Sequence, residues 1–73
     1  MTVREVIVKK IYCEPYLGRN CDIGVPHKFQ DRLFFYSGII LELTEDSLIL
    51  QMKDGIKVFD YRDIIEISLH KGD

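Results

Sequence analysis

Tyr61 and Arg62 are adjacent residues with complementary chemistry: an aromatic ring can stack a nucleobase, and a guanidinium can grip a phosphate with two hydrogen bonds. A second set of cations, Arg19, Lys28 and Arg32 with His27 among them, lies in a stretch rich in turn formers, where a loop could present them to phosphate. Each set has an ordinary alternative. Tyr61 can pack at a strand end while Arg62 pairs with Asp60, Asp63 or Glu66, and loop cations can simply be solvated. Phe34, Phe35 and Tyr36 offer a third aromatic surface, but consecutive strand residues point to alternate faces, so at least one belongs to the core.

Metal and catalytic chemistry find less support. Cys13, Glu14, Cys21 and His27 are zinc-ligand types, yet zinc ligands usually come in pairs two to four residues apart, and only Cys21 and His27 approach that spacing. No metal or cofactor is expected, and the cysteines read as small, partly buried hydrophobes. The chain has no glycine-rich phosphate loop, nucleophile elbow or His-Glu-x-x-His. A Cys21 nucleophile assisted by His27 would need a water-excluding pocket on a loop, which a small domain rarely supplies. The expectation is a protein that is not an enzyme.

The elements that must hold these residues follow from composition and pattern. The chain has 73 residues, 47% hydrophobic and 30% charged, which suits one domain over 1–73. Ten Ile, five Val, four Phe and four Tyr, with no Ala, favour strands. So small a domain buries only about 60% of its unfolded surface, so part of this apolar set should face a partner. Net charge is −2, with the acidic excess in the second half, so an anion site would be local and lie in the first half. Neither a membrane span nor a signal peptide is read, and a cytoplasmic location is expected.

Residues 2–12 fit helix and strand alike. Val3, Val6, Ile7 and Ile11 follow the 3.6-residue period while the Val-Ile-Val centre prefers strand, and a Thr2/Glu5 capping box favours helix. The long connection from Cys13 to Arg32 should contain a short strand over Asp22 to Val25, leaving Pro26 to Asp31 as a turn that presents His27 and Lys28 to solvent. Leu33 to Leu43 reads as a long strand bent at Ser37-Gly38. After the polar turn Thr44 to Ser47, Leu48, Leu50 and Met52 alternate along the next strand, and Asp54-Gly55 signals a hairpin into Ile56 to Tyr61. Arg62-Asp63 makes a corner, Ile64 to Leu69 ends the sheet, and residues 70–73 form a loose tail. Ile40, Leu43, Leu48, Leu50, Val58, Ile65 and Ile67 are expected inside. The fold class is mainly β: a small, strongly bent five-stranded antiparallel barrel with a short N-terminal helix.

These residues resemble the Sm-like (Sm/Hfq-type) small β-barrel family over about residues 17–69. Leu17 to Val25 is similar to its first strand, Tyr36-Ser37-Gly38-Ile39-Ile40 to its glycine-centred second, Leu48-Ile49-Leu50 to its third, and Tyr61-Arg62-Asp63-Ile64-Ile65 to its corner before the last strand. The resemblance implies a homo-oligomeric ring, in which the fourth strand of one subunit pairs with the fifth of the next, and single-stranded RNA bound at the ring face. Tyr61 and Arg62 match the family's corner. Thr44 stands where the family has an acidic residue, and Asp46 where the bacterial branch has an aromatic platform; a carboxylate cannot stack and repels phosphate. The eukaryotic branch's Asn in that turn and its Arg-Gly at the corner are absent. Two functions are therefore expected: an Sm-like RNA-binding ring using Tyr61, Arg62, Arg19, Lys28 and Arg32, or a protein-interaction or scaffolding module on the same barrel.

Overall fold

The computed structural model describes residues 9–71. Residues 9–13 are α-helical, in keeping with the helical reading of this region; the Thr2/Glu5 capping box lies outside the described residues. Pro15 lacks the amide that the next helical turn would need, and the chain tightens into a 3₁₀ turn over Glu14–Tyr16. Gly18, at φ 79°, then turns the backbone so that its amide reaches the Ile40 carbonyl at 2.9 Å.

Five antiparallel strands follow: β1 (Asn20–Pro26), β2 (Leu33–Leu43), β3 (Ser47–Met52), β4 (Gly55–Asp60) and β5 (Glu66–Leu69). They form one sheet in the order β4-β3-β2-β1-β5. The sheet is not closed, and β4 and β5 are its outer strands. The expected strand at Asp22 to Val25 is longer by two residues at its start and one at its end. The hairpin predicted at Asp54-Gly55 is present, but its central pair is Lys53-Asp54, both at negative φ, and Gly55 at φ 144° opens β4 opposite Met52.

The open sheet is nonetheless strongly curled. If β2 were straight, Tyr36 and Leu43 would be about 23 Å apart. Yet the Tyr36 ring, on the part of β2 paired with β1, lies 5.3 Å from that of Phe59, which reaches Leu43 through Leu48. Only a sheet folded over itself allows that contact. β2 makes the fold possible because it serves β1 with its first half and β3 with its second. At the hand-over, Gly38 has no Cβ, and one there would collide with the Gln51 carbonyl. The register irregularity falls between Ile40 and Glu42, past the expected bend at Gly38, and leaves Leu41 as the extra residue.

Inside the curl lie Cys13, Cys21, Ile23, Ile40, Leu48, Leu50, Phe59, Tyr61, Ile64 and Ile67. Of the expected core, Ile40, Leu48, Leu50 and Ile67 are buried and Leu43 is half-buried, but Val58 and Ile65 are each 59% exposed. Val58 faces the side of the sheet shared with Ile49, its register partner, so Phe59 takes the interior place. Ile65 precedes β5, where strand alternation does not yet apply; its amide bonds the Gly24 carbonyl at 2.9 Å and its neighbour Ile64 fills the core. Past β5, His70 donates its amide to the Asn20 carbonyl at 2.9 Å; the last two residues of the tail expected over 70–73 lie outside the described residues.

Candidate nucleic-acid interface

Tyr61 opens a 3₁₀ turn over Tyr61–Asp63, and its ring is fully buried. Its hydroxyl donates to the Thr44 carbonyl at 2.8 Å, and burial pushes the phenol up to about 12. Its amide donates to the Asp46 carbonyl, and Lys9 caps the other end of the turn by donating to the Tyr61 and Ile64 carbonyls at 2.9 and 2.7 Å. A ring enclosed on all sides cannot stack a base, so the stacking role expected of Tyr61 is replaced by a core role. Arg62 is exposed but engaged: its guanidinium donates to Asp60 from Nε and from the terminal nitrogen, the closest contact being 2.7 Å. The same guanidinium holds the Asp60 carboxyl down at about 2. The corner is thus an internally satisfied unit, and the surface alternative for Arg62 is the geometry found.

The turn before β3 is equally self-contained. Thr44 Oγ1 accepts from the Ser47 amide at 3.0 Å, and the Ser47 hydroxyl donates to the Asp46 carboxylate at 3.0 Å. Nothing aromatic is presented there.

The loop cations are divided. Lys28 and Arg32 lie in the connection between β1 and β2, whereas Arg19 precedes the opposite end of β1, a strand length of about 20 Å away. The same separation places Cys21 and His27 at opposite ends of β1, so they do not form one ligand set. Both thiols are buried, and burial pushes Cys13 up. Among the described residues, no group of three or more His, Cys, Asp or Glu could hold a metal ion.

Lys28 and His27 instead converge with residues that sequence reasoning had not grouped with them. A cleft of about 440 Å³ is lined by His27, Lys28, Tyr36, Lys57, Phe59 and Asp63, among others. Lys57 pairs in register with buried Leu50, so it projects from an edge strand toward the inner face. Its ammonium lies 5.4 Å from the Tyr36 ring and 5.7 Å from the Phe59 ring, a cation over two aromatics. The signal in the sequence was the alternation Lys57–Phe59, which assigns the lysine to the apolar side. At the cleft's rim, His27 is half-buried rather than presented to solvent as expected: it meets Phe34 edge-on at 4.2 Å, and the Arg32 guanidinium sits 5.7 Å from the same ring.

On the outer face, Asp22 of β1 accepts from the Ser37 hydroxyl at 2.5 Å and lies 2.8 Å from His70 Nδ1. Ser37, first, and then His70 hold this carboxyl below its usual range. Serine and histidine bind the same oxygen of the aspartate, so the histidine is not placed to activate the hydroxyl as a nucleophile would require.

Compared with known proteins, the chain matches no family model, no curated protein and no solved structure.

Proposed function

We propose that this chain is a non-catalytic Sm-like module that assembles with further copies of itself, β4 of one against β5 of the next, and binds single-stranded RNA at the lysine-bearing cleft. One observation carries the reading: a curled sheet whose two outer strands and their approaches leave Ile56, Val58, Ile65 and Leu69 exposed. Outer strands with apolar side chains are templates for pairing, and joining them would complete the barrel between subunits. RNA is supported by Lys28 and Lys57 beside half-buried Tyr36, which pairs phosphate chemistry with an aromatic surface.

Light scattering tests the assembly. A mass at a multiple of 8.6 kDa at micromolar concentration is expected, and a strictly monomeric mass overturns the ring. Uridine-rich and adenine-rich oligoribonucleotides, titrated at two salt concentrations, test the ligand; affinity should fall steeply with salt, and Lys28→Ala should lower the slope by about 1. If neither binds below about 0.1 mM, the ligand is not RNA. A second reading, a scaffolding module without nucleic acid, is favoured by the buried Tyr61 and by the Asp60 carboxylate that already engages Arg62.

A further inference from the structure

We infer that Phe29 is a base-stacking residue for single-stranded RNA, with Lys28 and Arg32 taking the flanking phosphates; this rests on the RNA reading above. Phe29 stands at the tip between β1 and β2 and is 89% exposed, the most exposed of the large apolar side chains described. It is held in place from below. Its amide donates to His27 Nδ1 at 3.0 Å, which puts the proton of the neutral imidazole on Nε2, and its ring lies edge-on to the imidazole at 6.1 Å. His27 in turn donates its amide to the Arg32 carbonyl at 3.1 Å and packs edge-on against Phe34, over which Arg32 also sits. An aromatic that contributes nothing to the core is thus displayed on a braced hairpin between two cations.

The ligand chemistry that matches is a chain alternating π-faces with negative charge. Bases stack on aromatic side chains whatever their sequence, and the phosphates on either side need cations within a few residues. Asp31, next to Arg32 in the chain, repels phosphate and offsets part of that attraction. Lys28 also lines the cleft that continues to Lys57, so a strand leaving Phe29 has a further cation ahead of it. A lipid surface fits less well, because one ring with two cations gives little to bury or attract and the chain as a whole is acidic.

The full chain should be titrated with uridine-rich and adenine-rich oligoribonucleotides alongside Phe29→Ala, Phe29→Leu and Phe29→Tyr, with circular dichroism to confirm unchanged folding. The Ala and Leu variants should each bind roughly ten-fold more weakly at both salt concentrations with the salt slope unchanged, while Tyr restores wild-type affinity. A wild type that binds RNA with Phe29→Ala binding equally well overturns this inference alone. Leu binding like Phe also overturns it, since greasy cover would then suffice. A wild type that binds neither oligonucleotide removes both this inference and the RNA reading beneath it. Co-sedimentation with phosphatidylserine–phosphatidylcholine vesicles that is lost in Phe29→Ala assigns the tip to membrane instead and overturns the inference.

Discussion

At the corner after β4, Arg62 meets Asp60 at 2.7 Å and Tyr61 is enclosed, whereas at the β1–β2 tip Phe29 is bare and Lys28 and Arg32 flank it. Both regions join an aromatic residue to a cation, though in the sequence only Tyr61–Arg62 stands out as such a pair, Lys28 and Arg32 being grouped there without Phe29. What separates them is where each group finds its partners. The corner draws its partners from Thr44, Asp46, Asp60 and Lys9, so its hydrogen-bonding capacity is used within the fold. The tip uses its partners to brace the loop and leaves its aromatic face outward. An aromatic–cation pair is therefore evidence of a ligand only when its own neighbours leave it unsatisfied.

Substitutions at the two aromatics give the sharpest contrast. Tyr61→Ala should destabilise the fold by about 3–5 kcal/mol in urea unfolding, through loss of a large buried side chain, while Phe29→Ala should stay within about 0.5 kcal/mol. Equal costs would erase the distinction. Tyr61→Phe isolates the hydroxyl: losing its bond to the half-buried Thr44 carbonyl should cost about 0.5–1.5 kcal/mol.

The same phenol gives a pH signature. Because its folded value is raised from 10.0 to about 12, the stabilisation linked to it is complete below pH 10 and is lost as pH rises toward 12, where the unfolded chain ionises first. Melting temperature against pH, wild type beside Tyr61→Phe, should show a steeper alkaline decline in the wild type. Similar slopes would mean that the ring is reached by solvent.

Arg62→Ala carries the smallest expected effects. As a surface ion pair between exposed groups it should leave stability close to that of the wild type, and any RNA affinity should be unchanged, because Asp60 already occupies the guanidinium. A ten-fold loss of RNA affinity would return the corner to the binding site. The linked acid effect has the opposite sign to that of Tyr61: Asp60, held down at about 2 from 3.8, stabilises above pH 4 and loses that contribution as pH falls toward 2. Arg62→Ala should flatten this part of the acid profile.

The strands were legible because local pattern determines them. Leu48, Leu50 and Met52 alternate over a strand, the Asp54-Gly55 signal fixes a hairpin to within one residue, and β2 has the predicted ends. Which face turned inward was harder. Val58 and Phe59 are both apolar, and only the register with Ile49 and Leu48 decides between them. The candidate site was harder still, since the partners that silence Tyr61 come from residues 9, 44 and 46. The strand that divides Arg19 from Lys28 also had to be recognised as longer than its four most obvious residues. Lys57 was overlooked because lysine is ordinarily read as solvated; it is exposed here too, but its position across from Leu50 lays it beside the Tyr36 and Phe59 rings.

The pairing of β1 with β5 bears on the order in which the molecule is made. The other neighbours in the sheet are joined by hairpins, but Cys21 pairs with Leu69 only after β2, β3 and β4 have intervened in the chain. Such distant pairing forms slowly, and β5, with four residues and one neighbouring strand, should open most readily in hydrogen exchange. Until β5 docks, β1 is an outer strand of a four-stranded sheet whose other border is β4. Docking of β5 therefore does not remove a border from the sheet but exchanges one, covering the β1 edge and putting a short four-residue strand in its place.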